Sequence, residues 1–403
     1  MKNSLFIKNE KFITDYCMIS RVIPLEIIKE NPSLATVYAR IILKSLKNIQ
    51  GIKAYHDFIH ENYGASFIYR NYLMGDFDYL GICFECNSKK YLPQNFDAFL
   101  HLVDEAKIAF MEEPIFDEEL INRNKEELIE YIKKSSKVPY KICYKNVYSQ
   151  LDPEHRINFE LIGTIKQVEE VNKDSLIDFH HKISKYPISF IYQGNNEFHQ
   201  FELLKDIFKD DFELPVYKDV PIGKNGYIYG EQDFDNPHSY LIMLYSIDFE
   251  YSLRKNYILR LLNETIGGSN SILFDEIREK RGLCYSINSL NLSSEKIIEI
   301  TTQISKNNVS KTINAIDEIL SNYDKYCDES YFEIAKMDLI SQLIEVEDSA
   351  ISTFNNNVSI LYKRGRIYDF KECIEAIESI KYEDVLDLAK TLCKQSTYVV
   401  KGK

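Results

Sequence analysis

Residues 165–194, IKQVEEVNKDSLIDFHHKISKYPISFIYQG, return near the far end of the chain as residues 374–402, IEAIESIKYEDVLDLAKTLCKQSTYVVKG. Val168 aligns with Ile377, Val171 with Ile380, Leu176 with Val385 and Phe179 with Leu388. Each copy reads as a short turn, an amphipathic helix and a β-rich run that stops at Gly194 or Gly402. A chain that writes this unit twice has a duplicated architecture.

Two further pairs occur in the same order. FDEELINRNKEELIEYI at 116–132 matches CDESYFEIAKMDLISQL at 327–343, aligning Lys125 with Lys336 and Leu128 with Leu339. Asp117 and Glu118 face Asp328 and Glu329 at an expected helix start, where acids suit the helix dipole. HDFIHENYGASF at 56–67 matches FDEIREKRGLCY at 274–285, which aligns Asp57 with Asp275, Ile59 with Ile277, His60 with Arg278, Glu61 with Glu279 and Gly64 with Gly282. Each of these copies reads as a helix closed by a glycine and followed by a strand.

Three ordered pairs at nearly constant offset predict two homologous domains of about 200 residues each, a usual domain size. We expect a first domain at 1–208, a linker at 209–225 and a second domain at 226–403. The stretch from Phe208 to Gly226 carries Lys209-Asp210-Asp211, Pro215, Pro221 and Gly223, residues that interrupt regular structure. Helical periods alternate with β-rich runs at Tyr79–Cys86, Ile188–Tyr192, Tyr240–Tyr245 and Tyr398–Val400. The expected fold class is α/β (α+β), with a β-sheet covered by helices in each domain.

Composition narrows the function. Apolar residues make up 45% and charged residues 28%, enough to bury a sizeable core. The net charge of -13 argues against a nucleic-acid partner, which needs clustered Lys and Arg. The opening MKNSLFIKNEKFITDY is broken by Lys8, Glu10 and Lys11, so no signal peptide is expected, and no apolar run is long enough to span a membrane. Eight scattered cysteines suit buried thiols in a reducing, cytoplasmic setting.

Segment 263–289, NETIGGSNSILFDEIREKRGLCYSINS, resembles the second-domain signature of the insulinase/pitrilysin family of metallopeptidases. The resemblance is carried by Gly267-Gly268, Leu273-Phe274, Ile277-Arg278-Glu279 and Gly282-Leu283 followed by Tyr285. A weaker likeness, including Tyr63-Gly64-Ala65-Ser66, extends over the whole chain. Ser271 is placed to cap a helix running to Arg281, with Gly282 ending it and Leu283–Ile287 as strand. Arg278 and Tyr285 can then converge, and a guanidinium with a phenol makes a good donor pair for a carbonyl becoming an oxyanion. The resemblance implies that role for them; taken alone they read as a surface Arg paired to Glu and a half-buried strand Tyr.

Active members carry His-x-x-Glu-His on a helix of the first domain, where two His bind zinc and the Glu activates water. The corresponding helix here is expected at 33–48, SLATVYARIILKSLKN, which holds no His, Glu, Asp or Cys. A third ligand is expected near 126–133, where Glu127, Glu130 and Lys133 stand. Elsewhere His199 and Glu202 come nearest, but Leu203 occupies the place of the second His. His56 and His60, four apart on one helix face, His180-His181, and the lone Cys83-Phe84-Glu85-Cys86 all read as incidental. Gly267-Gly268-Ser269 lacks the Lys of a phosphate loop.

The resemblance therefore implies a zinc-less subunit in a clamshell arrangement of two domains. Its partner would be a homologous zinc-bearing chain of bacterial two-subunit type, forming a heterodimer that trims small peptides. Leader or precursor peptides of natural products are one such substrate class. No zinc or other cofactor is expected in this chain, and no membrane contact. A structural or peptide-holding scaffold is the rival reading.

Overall fold

A computed structural model describes residues 3–93, 96–194, 199–208, 212–223 and 226–403. Lys209-Asp210-Asp211 of the expected linker lie outside the described residues.

The chain builds one five-strand pattern twice. The first sheet comprises β1 (Ser4–Lys8), β2 (Thr14–Pro24), β3 (Ser66–Arg70), β4 (Phe77–Asn87) and β5 (Ile188–Gly194), in the spatial order β1-β5-β2-β4-β3. A short Leu73–Met74 segment pairs with β4 as well. The second comprises β6 (Ile228–Asp233), β7 (Ser239–Ser246), β8 (Cys284–Leu292), β9 (Ile297–Ile304) and β10 (Cys393–Lys401), in the order β8-β9-β7-β10-β6. Numbered within each unit, both sheets place the third strand beside the fourth at one edge and the first beside the fifth at the other. The first–fifth pairs, β1–β5 and β6–β10, are parallel. The β2–β4 and β7–β9 pairs are antiparallel. The duplication read from sequence is thus a duplication of topology.

The aligned side chains do the same work in each copy. Val168, Val171 and Leu176 are buried to within 1% exposure, and Ile377, Ile380 and Val385 to within 2%. Burial of such a side chain stabilises by about 1.5–3 kcal/mol. Helix α3 (Glu118–Ser135) begins where Asp117 accepts from the Leu120 amide at 2.9 Å, and helix α7 (Glu329–Asp348) where Asp328 accepts from the Ser330 amide at 2.9 Å. Lys125 Nζ donates to the carbonyls of Glu169 and Val171; Lys336 Nζ donates to those of Glu378 and Ile380. In both units a lysine closes the carbonyl end of a short helix, where a cation meets the negative end of the dipole.

The chain forms two compact units: residues 1–133, 160–217 and 349–367, and residues 134–159, 218–348 and 368–403. This differs from the expected 1–208 and 226–403 in two exchanged segments. Helix α4 (Pro139–Ser149) follows α3 yet packs in the second unit, where Tyr148 donates to Glu299 at 2.6 Å and the Cys143 thiol to the Tyr398 carbonyl. Helix α8 (Ala350–Arg364) follows α7 yet packs in the first unit. There Tyr362 stacks on Tyr79 at 3.9 Å and Phe354 on Tyr16 at 5.5 Å. The two exchanged helices occupy corresponding places in the repeat.

The helix expected over 33–48 is shorter. Helix α1 spans Pro32–Ile41, a single 3-10 turn follows at Ile42–Lys44, and a tiny hairpin pairs Ser45–Leu46 with Ile49–Gln50. Ser45 bonds back to the Ile41 carbonyl at 3.0 Å, giving the backbone an alternative to further α-helix. Among the described residues no helix is long and apolar enough to cross a membrane. Six of the eight cysteines are buried, and burial lifts the thiols of Cys83 and Cys86 above their usual range.

Candidate functional site

In the second unit, Ser271 Oγ accepts from the Phe274 amide at 3.3 Å and starts the helical segment as expected. From Phe274 to Lys280, however, the segment is a π-helix rather than an α-helix. Such one-turn π segments carry an extra residue and concentrate at functional sites. Gly282 then takes φ +58°, the left-handed conformation that favours glycine. The Leu283 amide closes the turn on the Ile277 carbonyl at 3.0 Å.

Arg278 lies on this π-turn. Its guanidinium sits 4.7 Å from the centre of the Phe274 ring, and its Nε is 3.6 Å from the carboxylate of neighbouring Glu279. The adjacent cations are committed more tightly: Lys280 to Glu276 at 2.5 Å and Arg281 to Glu318 at 3.0 Å. The Arg278 side chain is 44% exposed and makes the longest ion pair of the three.

Tyr285 owes its placement to a second irregularity. Cys284 pairs with Ile304, but the next pair is Ser286 with Gln303, so Tyr285 is an extra residue in β8. A β-bulge of this kind re-aims a side chain. Tyr285 is 55% exposed, whereas Phe67, its aligned counterpart in the regular β3, is wholly buried. The Tyr285 ring meets the His238 ring edge to face at 4.8 Å. Sequence reasoning missed His238, which stands far from Tyr285 along the chain. Arg278 and Tyr285 lie on either side of Gly282, and no hydrogen bond or ion pair joins them among the described residues.

The helix that would carry zinc ligands is occupied otherwise. On α1, Thr36 donates to the Leu161 carbonyl at 2.6 Å and Tyr38 is bonded to His180 Nδ1 at 2.8 Å. His180 is buried, and that burial pushes it down to about 4, so it stays neutral at ordinary pH. On α3, Glu127 pairs with Arg123 at 3.2 Å. His56 and His60 lie exposed on helix α2 (Gly51–Glu61). Among the described residues no three His, Cys, Asp or Glu side chains form a group that could hold a metal ion. The donor set at α1 does not fit zinc.

Residues 170–339 match the family model described as Peptidase M16 inactive domain. An uncharacterized zinc protease of Rickettsia felis is 23% identical over 323 residues, which covers 76% of this chain and 75% of the relative. A conserved protein from Enterococcus faecalis superposes with TM-score 0.87 at 20% identity, covering 100% of this chain and 97% of that one. A peptidase M16 inactive domain from Pseudomonas fluorescens superposes with TM-score 0.81 at 14% identity, covering 99% and 96%.

Proposed function

We infer, from the match of residues 170–339 to the Peptidase M16 inactive domain, that this chain acts as a non-catalytic subunit for a zinc-bearing homologue. The observation that carries this reading is a contrast within one chain. The second unit exposes Arg278 and Tyr285 on either side of a left-handed glycine, while helix α1 of the first unit holds no zinc ligand. A chain of this kind can donate hydrogen bonds to a peptide carbonyl, while its helix α1 offers no side chain to hold a water-activating zinc ion.

In this proposal the partner supplies the metal, and this chain supplies two donors. The Arg278 guanidinium, held over Phe274, offers a permanent positive charge. The Tyr285 hydroxyl, turned out of the sheet by the bulge, offers a neutral donor. Both stabilise the oxyanion that forms as the peptide carbonyl is attacked, and loss of one such donor commonly costs about 100- to 1,000-fold in turnover. The substrate class is a short peptide, with leader or precursor segments as the candidates to try first. The exposed edge of β8 is suited to align it as an added strand.

The test mixes the purified chain with a His-x-x-Glu-His homologue encoded beside it and measures hydrolysis of short peptides. Activity is expected only in the mixture. Arg278→Ala combined with Tyr285→Phe is expected to lower kcat at least about 100-fold with KM nearly unchanged. Peptidase activity of this chain alone, or wild-type turnover in the double variant, defeats the proposal. The rival scaffold reading requires stable complex formation with no gain in activity.

A further inference from the structure

Resting on the reading above, we propose that His238 is a positioning residue that holds the Tyr285 phenol in its outward, substrate-facing orientation. Exposed side chains at a strand bulge have few neighbours to fix them, and a half-exposed tyrosine pointing into solvent samples several rotamers. Tyr285 is different because one ring stands against it. The His238 and Tyr285 ring centres are 4.8 Å apart at an interplanar angle of 64°, the edge-to-face geometry that aromatic pairs prefer.

Sheet register explains how a residue so distant in sequence arrives there. Cys284 on β8 and Ser239 on β7 both pair with Ile304, the last residue of β9. One residue beyond this row, β9 has ended. His238, the residue before β7, stands there, while Tyr285 bulges out between the rows of Ile304 and Gln303, so the two rings meet at the last residue of the strand that separates their own.

The His238 backbone is itself pinned. Its carbonyl accepts from Asn236 Nδ2 at 2.9 Å, and Pro237 precedes it with a fixed φ. Gly402 runs directly against it: a Cβ on Gly402 would stand 2.8 Å from both the carbonyl carbon and the oxygen of His238, and 2.6 Å from the Asn236 carbonyl oxygen. The neighbouring Ser239 Oγ accepts from the Gly402 amide at 3.0 Å. The glycine that ends the second repeat thus allows the close approach that sets the His238 ring. Gly194, its counterpart, makes room for Asp15 and Tyr192 instead.

Two variants separate the contact from the chemistry of the imidazole. His238→Ala removes the ring and His238→Phe keeps it; Gly402→Ala shifts the backbone that carries it. With site-selective labelling of Tyr285 in the isolated chain, ring-carbon NMR relaxation is expected to report an order parameter near 0.8 for wild type and for His238→Phe. Values below about 0.6 are expected for His238→Ala and Gly402→Ala. In the two-chain mixture, His238→Ala lowers kcat about tenfold with KM within twofold, His238→Phe restores it, and His238→Ala has no further effect in a Tyr285→Phe background. An inactive wild-type mixture defeats the subunit reading but leaves the relaxation result standing as the test of positioning. An unchanged Tyr285 order parameter in His238→Ala, or failure of His238→Phe to restore kcat in an active mixture, overturns the inference.

Discussion

Residues 51–70 and 269–288 are one sequence frame folded two ways. In the first unit the frame is regular. Helix α2 is α-helical through Glu61, Gly64 turns left-handed at φ +72°, and β3 pairs with β4 residue for residue, so Phe67 is wholly buried. In the second unit the same frame carries a π-turn before its glycine and a bulge after it, and Tyr285 comes out of the sheet. Side-chain direction in a strand has a period of two, so a single added residue reverses it. What distinguishes the buried Phe67 from the exposed Tyr285 is how the backbone pairs with the neighbouring strand, and only secondarily the residue type.

The comparison breaks or sharpens under mutation. The largest effect is expected for Phe67→Ala, which should destabilise the chain by about 3–5 kcal/mol in urea unfolding. A loss under about 1 kcal/mol would mean that the first copy is no more closed than the second. Next comes pH. Asp78 on β4 and Glu299 on β9 are both buried carboxylates held above their usual range by desolvation, Asp78 up to about 7. Between an unfolded value of about 3.9 and the folded one, the native state keeps a proton that the unfolded chain has released. Stability therefore falls as pH rises across that window, by up to about 1.4 kcal/mol per pH unit for one such group. Urea midpoints should drop from pH 5 to pH 7, and Asp78→Asn should flatten part of that slope.

Gly64→Val and Gly282→Val test whether the shared turn is equally strained in both copies. Each forces a β-branched residue into positive φ and should cost about 1–3 kcal/mol by thermal or chemical unfolding, with the two values similar. Lys125→Met and Lys336→Met remove the same two carbonyl contacts from the two units. Each should cost about 1–2 kcal/mol, and a difference larger than that cost would end the case for equivalent capping. Tyr285→Ala should change stability by no more than about 0.5 kcal/mol, as expected of an exposed side chain, even where it abolishes activity in the mixture.

Much of this was legible in sequence because it depends on residues that repeat. The buried pairs Val168/Ile377 and Leu176/Val385, the Asp117 and Asp328 helix starts and the left-handed Gly64 and Gly282 each leave a mark at matching positions. Lys125 and Lys336 align in sequence, and their carbonyl partners are equivalent in the two units. Other features left no mark. A change of hydrogen-bond pairing in a helix or strand alters geometry without altering composition, so neither the π-turn nor the bulge is legible in sequence. The exchange of α4 and α8 was hidden because an amphipathic helix declares that it covers a sheet, and two similar sheets were on offer. His238 emerged only when strand register brought β7 beside the end of β9. The helix expected over 33–48 ends at Ile41 because Ser45 and the hairpin after it interrupt an apolar pattern that continues regardless.

That exchange has a consequence for synthesis. The face of the first sheet built from Tyr16, Met18, Val22 and Tyr79 is covered by Phe354, Val358, Leu361 and Tyr362. A ribosome that has just completed Gly194 still needs roughly ten to thirty seconds to reach those residues at about 5–20 residues per second. Throughout that interval the nascent first sheet lacks its own cover, and α4, the corresponding helix destined for the other unit, is the copy already at hand. The first sheet therefore gains its final cover only after most of the second copy has been translated.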